Sequence, residues 1–235
     1  YDVRKLFQKR RQSVNGFVTY YILCFLLFVI LTGAIFFSGG DLLLAIFALT
    51  VAGVFLVLAA FAPNSPYSNI GAERELLQMM AYEPMLLIMA MGMYLALKVR
   101  TGTGSFQVSE ILADPQPLLY ALPGIFVGFL FILTIKLRKS PFDLSTSHHG
   151  HQELVKGLTT ELSGPTLGLL EIAHWYENIL LLGFVYLFFA AFNPALALFF
   201  VVLTYLFEVL IDNTYARLTW KVTLRWAWAV TLIFG

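Results

Sequence analysis

Six ionisable side chains lie within or at the edges of long apolar runs, and their spacing suits the movement of charge. Glu83, in "AYEPMLL", follows Tyr82 and precedes Pro84. Proline has no amide proton, so a helix passing through it leaves a carbonyl unpaired one turn earlier and bends there. A carboxylate beside such a bend suits a hydrated interior path. Farther along, Glu171, His174 and Asn178 share one helix face, and Glu177 follows His174 by three residues, which makes a titratable cluster. Glu208 and Asp212 stand four residues apart on one face; two carboxylates so placed repel, and one tends to hold its proton at neutral pH. Groups of this kind relay protons or cations. The plainer alternative is that Glu171 and Glu177 sit at the mouth of their helix, stabilised by its positive N-terminal end, and that Asp212 lies at an interface.

A second set of candidates falls in "KSPFDLSTSHHGHQELVKGLTTELSGP", residues 139–165, a long polar stretch between two apolar spans. The spacing of His148, His149 and His151 matches no zinc signature, so no metal is expected there. An imidazole near its natural pKa changes charge between about pH 5 and 8, which suits partner contact or proton exchange. Within the same stretch "ELVKGLTTE" reads as helical, with Glu153, Lys156 and Thr160 along one side and Glu161 close to Gly164 and Pro165. A plain solvated loop is the alternative, weakened by the length of the segment.

Positioning these groups requires a membrane. With 59% hydrophobic, 16% aromatic and 12% charged residues, the chain has too little polar surface to cover a water-facing globule. A bilayer core takes roughly 20 apolar residues per helix. On that measure the expected spans cover 17–37, 42–62, 76–97, 118–135, 172–191 and 195–211, with a seventh beginning near Trp226. The fold class is therefore an all-α, polytopic transmembrane helical bundle, one integral membrane domain over 1–235. Acids at membrane depth each cost roughly 2.5 to 3.5 kcal/mol on insertion scales, so each needs a partner, water or a proton. The third span is the unusual one, because "AERELLQMMAYEP" is polar before Pro84 and must face protein or water rather than lipid.

Thirteen of the fifteen Lys and Arg residues fall in alternate connections: the N-terminal segment, the segment holding Arg74, the stretch 136–156, and 217–225. Cationic connections stay on the cytoplasmic side, which places the loops 63–75 and 136–170 there, with the chain in the cell membrane. The turns "SGGD" and "FNPA" are expected to close tight antiparallel hairpins on the opposite side, where "TGTGSFQVSEILADPQP" also lies. The single Cys24 has no partner, and without a cysteine set there are no thiolates for an iron-sulfur centre. The sequence opens and breaks off within patterned segments, which suggests that both ends continue.

Three stretches carry a family resemblance. "SPFDLSTSHHGHQELVKGLTTELSG" resembles the large cytoplasmic loop of the complex I membrane subunit that forms the junction with the peripheral arm. "ERELLQMMAYEP" is similar to that family's Gln-x-x-x-Tyr-Glu helix, and "YDVRKLFQKR" to its first cytoplasmic loop. The resemblance implies eight spans in full, one before Tyr1 and one continuing past the end. It aligns Asp143, Glu153, Glu161, Tyr82 and Glu83 with positions that line the junction chamber and the start of the proton path. Arg138, His148, His149 and His151 fall in the junction loop with them. Where respiratory complex I continues with Pro-Glu-Ala-Glu, this chain reads "STSHHGHQ", and Leu162 stands where the family shows Tyr.

That departure resembles the corresponding membrane component of Ech-type energy-converting membrane-bound [NiFe] hydrogenases. It implies an anchoring and ion-path subunit for protons or sodium, non-catalytic and with no cofactor of its own. The implied partners are a [NiFe] large subunit, a small subunit carrying a [4Fe-4S] cluster, an antiporter-like membrane subunit, the lipid bilayer, and ferredoxin as donor to the complex. No nucleic acid is expected. Two other readings remain open: a quinone-site subunit of complex I, and a stand-alone ion transporter or passive anchor.

Overall fold

The computed structural model describes residues 2–10, 15–138, 157–215 and 218–235. They form a helical bundle: α1 (Asp2–Gln8), α2 (Gly16–Phe37), α3 (Leu42–Phe61), α4 (Pro66–Thr101), α5 (Val108–Leu112), α6 (Leu118–Ala121), α7 (Pro123–Lys136), α8 (Gly164–Phe189), α9 (Pro194–Thr214) and α10 (Trp220–Phe234). A 3-10 turn, Gly157–Thr159, precedes α8. Helices α2, α3, α4, α8 and α9 are long and apolar enough to cross a membrane, while α7 is a shorter apolar helix of 14 residues. The chain is thus a multi-pass helical bundle, as composition requires.

Spans α2 and α3 match the bounds expected from hydropathy to within one residue, α9 runs to Thr214 rather than 211, and α10 starts at Trp220 rather than near Trp226; three others differ for physical reasons. α4 begins at Pro66 rather than 76, with the proline in the first helical turn, where its missing amide proton costs nothing. Ser68, Gly71, Ala72, Glu75, Gln78, Met79 and Tyr82 are buried along it. Their spacing of three and four marks one inward face, so the polar stretch expected as part of a loop over 63–75 is helix from 66 onward. At 36 residues, α4 is about 54 Å long, well beyond the roughly 30 Å hydrocarbon layer. Its helix runs unbroken through Pro84. α8 likewise begins at Gly164, ahead of the apolar run. The expected single span 118–135 is divided at Leu122 (φ −127°, ψ 48°), because a residue before proline is pushed away from helical geometry.

The two turns behave as expected. Gly39 supplies the left-handed conformation (φ +79°) that ends α2, and the Asp41 side chain accepts from Leu44 N at 2.9 Å to start α3. Asn193 caps α9 in the same way through Ala195 N. The long segment between α4 and α6 folds back onto its own bundle. Leu42 N donates to Phe106 O at 2.8 Å and Val108 N to Gly40 O at 2.9 Å, Tyr94 stacks on Phe106 at 4.6 Å, and Arg100 pairs with Asp114 while donating to the Gln116 carbonyl at 2.8 Å.

At the opposite end, Asn15 Nδ2 donates to Ala62 O at 2.9 Å, and α1 lies against α8, with Leu6 and Phe7 over Gly168. The turn at 157–159 seats on α4 at Gly71, where a Cβ would run into the backbone of Gly157 and Leu158. Gly71→Ala is therefore expected to destabilise the bundle by about 1 to 3 kcal/mol through overpacking. A lowered midpoint of thermal unfolding in detergent, absent from a Gly16→Ala control whose surroundings are open, checks this.

Candidate functional site

Three helices meet at the basic end of the bundle around a buried chain of alternating charge. Lys136, the last residue of α7, places Nζ 2.7 Å from Oε1 of Glu177 on α8 and donates to Tyr82 Oη on α4 at 3.0 Å. The same ammonium lies 4.3 Å from the Tyr82 ring centroid, a cation–π distance. Two residues on, Arg138 donates to Glu75 Oε1 of α4 at 3.2 Å and faces Glu177 Oε2 at 3.7 Å. Glu75 and Glu177 are 3% and 2% exposed. The order is Glu75, Arg138, Glu177, Lys136, so two carboxylates and two cations cancel.

Local backbone chemistry aims these groups. Glu75, Gln78 and Tyr82 fall at i, i+3 and i+7 on the inward face of α4. α7 closes as helices often close at glycine, with a left-handed residue whose amide bonds back to a carbonyl of the last turn. Here that residue is Arg138, φ +55°, and its N–H donates to Ile135 O at 3.0 Å. A non-glycine residue in this conformation costs roughly 1 to 2 kcal/mol, offset by the two carboxylates its side chain reaches. Burial alone would weaken the hold of Arg138 on its proton. Glu75, and after it Glu177, outweigh that effect and raise the guanidinium pKa above its ordinary value.

Sequence and structure agree on some site residues and differ on others. Tyr82 and Glu177 are in the chain of charge, joined by Arg138. Glu83, next to Tyr82, turns the other way, toward Thr50 of α3, and its Oε1 is enclosed with no hydrogen-bond partner among the described residues. Within the expected titratable cluster, Glu177 pairs with Lys136 of α7, the His174 ring packs edge-on against Phe25 at 5.8 Å, and Glu171 is half-buried. The helix-mouth reading of Glu171 and Glu177 fails, because α8 starts at Gly164 and they stand about two and nearly four turns inside it, beyond the first turn where the helix dipole acts. On α9, Glu208 is fully buried and Asp212 half-buried. Glu161 is half-buried in the turn ahead of α8.

The expected helix over "ELVKGLTTE" is corrected in its described part, where Gly157 at φ +50° opens a single 3-10 turn. Asp143, His148, His149, His151 and Glu153 lie outside the described residues. Sequence reasoning missed Glu75 and Lys136 as site residues. The inward polar face of α4 was the available signal, since a buried Glu75 demands a cation, and the ends of neighbouring apolar runs are where one is found.

Comparison with known proteins gives a consistent picture. The family model described as NADH dehydrogenase matches residues 1–235. A subunit of the NADH-quinone oxidoreductase of Methylococcus capsulatus is 32% identical over 212 residues, covering 85% of this chain and 63% of that protein. Formate hydrogenlyase subunit 4 of Escherichia coli is 27% identical over 208 residues, covering 81% and 64%. The chain thus spans under two thirds of the length of these relatives. Among solved structures, a chain of the membrane-bound sulfane sulfur reductase, an archaeal respiratory membrane complex, superposes with a TM-score of 0.83 over 99% of this chain and 83% of its own, at 22% identity. That likeness is one of fold.

Replacing one member of the buried chain leaves its partner's charge uncompensated. Lys136→Met is expected to cost about 3 to 5 kcal/mol, and Lys136→Met with Glu177→Met together far less than the two single changes summed. Unfolding of the four proteins in detergent measures that coupling.

Proposed function

Because the chain belongs to the NADH dehydrogenase family, and has relatives in both an NADH-quinone oxidoreductase and a formate hydrogenlyase, we propose that it is the membrane anchor and ion-path subunit of a ferredoxin-dependent, energy-converting [NiFe] hydrogenase. The observation that carries this reading is the buried, neutral chain Glu75, Arg138, Glu177, Lys136. Ionisable groups at such depth are expensive and mark ion pathways by default. Arg138 stands directly before the polar segment that resembles a docking loop, and at the far end of the row Lys136 reaches Tyr82, the sequence neighbour of Glu83.

The [NiFe] centre and the [4Fe-4S] cluster belong to large and small subunits docked over the basic end, on the cytoplasmic side, and ferredoxin supplies electrons to them. This chain's residues hold and pass charge. Glu83, Glu153 and Glu161 conduct protons or sodium inward, and Glu171, His174, Glu177, Glu208 and Asp212 extend the route toward an antiporter-like subunit. The likeness to formate hydrogenlyase subunit 4 and the absence of Pro-Glu-Ala-Glu after "SPFDL" favour the hydrogenase branch. The higher identity to a component of a quinone oxidoreductase favours the second reading, a quinone-site subunit.

Purification of the complex through a tag on this chain decides between them. The expected result is a co-purifying [NiFe] subunit and hydrogen evolution from reduced ferredoxin, insensitive to quinone-site inhibitors. Quinone reduction without hydrogen evolution selects the second reading. In proteoliposomes, Glu83→Gln is expected to lower ion translocation by about a hundredfold, the low end of the usual loss when a proton-transfer group is removed. Turnover in the presence of an uncoupler should change little; translocation at the unaltered rate would remove Glu83 from the path.

A further inference from the structure

Arg138 is shared unequally between two carboxylates on different helices, 3.2 Å from Glu75 of α4 and 3.7 Å from Glu177 of α8. Glu177 is shared in turn between two cations, with Lys136 the nearer at 2.7 Å. Lys136 has a second seat at the Tyr82 hydroxyl, 3.0 Å away. Arg138 and Glu177 therefore each have two charged neighbours, and Lys136 has one and a polar alternative. The guanidinium can shift its balance between the two carboxylates while keeping a donor on each, because its planar fork presents five donors.

The backbone places this shared cation where displacement matters. Arg138 occupies the left-handed position that ends α7, with the polar segment following it directly. The chain returns at Gly157 and Leu158, which rest on Gly71 of α4. Gly71 and Glu75 are one helical turn apart on the same face. Arg138 and the turn at Gly157 and Leu158 thus both attach to a single turn of α4, the first through charge and the second through packing.

From these contacts we infer that Arg138 is a movable counter-charge for the ion path and that Glu75 is its alternate anchor, a positioning residue that acts on transfer through Lys136 and Glu177. With Arg138 on Glu75, Glu177 is left to Lys136. With Arg138 drawn closer to Glu177 while still donating to Glu75, Glu177 is shared more evenly by two cations, and Lys136 leans to Tyr82. Glu75 conducts nothing itself; it sets which of the two arrangements is held. This rests on the reading of the chain as an ion-path subunit and adds a residue that neither the motif resemblance nor the acidic clusters single out.

The test uses the intact complex in proteoliposomes, driven by its own electron donor, with ions moved per redox turnover read beside turnover in uncoupler. Glu75→Gln is expected to assemble, to keep uncoupled turnover, and to lower the ion ratio by at least about fivefold, the lower end of a coupling between sites. A ratio equal to the unaltered protein's overturns the inference. Where Glu75→Gln alone fails to assemble, the neutral pair Glu75→Gln with Arg138→Gln decides. Assembly of that pair with the ratio lost supports the inference. Assembly with the ratio restored, or no assembly, assigns the pair to folding and overturns it. Transport lost in Glu83→Gln but intact in Glu75→Gln removes this inference alone; transport intact in both removes the ion-path reading itself.

Discussion

Electroneutrality in a place without water governs this structure. A carboxylate or ammonium withdrawn from solvent carries a penalty of several kcal/mol even after the protein relaxes. Four such groups are tolerated at the junction of α4, α7 and α8 because their signs alternate. The helices are arranged to serve that pairing: α7 ends at Lys136 so that its ammonium and the Arg138 guanidinium arrive together, α8 brings Glu177 well inside its length, and α4 contributes both a carboxylate and a phenol from one face. Apolar packing alone would not fix this register, since Leu and Phe contacts tolerate sliding that ion pairs do not.

Much of the architecture could be read from the sequence, because a membrane simplifies the physics. Apolar runs of about 20 residues, capped by "SGGD" and "FNPA", gave α2 and α3 almost to the residue, and α9 at its start. The polar half of α4 could be read as facing away from lipid, but not as helix ahead of Leu76, since hydropathy cannot tell a polar loop from a polar helical face whose partners lie far along the chain. Glu75 and Arg138 are 63 positions apart, and no local pattern announces such a pair. For the same reason His174 and Glu177, neighbours in spacing, belong to different surroundings: one lies against Phe25, the other against α7.

The chain is similar both to a component of an NADH-quinone oxidoreductase and to one of a formate hydrogenlyase, so one membrane scaffold recurs in complexes named for different redox chemistries. In this chain the segment that resembles a docking loop reads "STSHHGHQ" after "SPFDL", while Tyr82 and Glu83 stand in the stretch similar to the family's helix.

The mechanical character of α4 follows from its ends and its middle. Its C-terminal end is clamped, with Arg100 tied to Asp114 and to the Gln116 carbonyl, while its N-terminal end is gripped at Gly71 and Glu75. Between these supports Pro84 removes one rung from the hydrogen-bond ladder, leaving the beam most compliant beside Glu83. A load applied at the N-terminal grip of such a beam concentrates its flexure at the weakened rung, next to the position of Glu83.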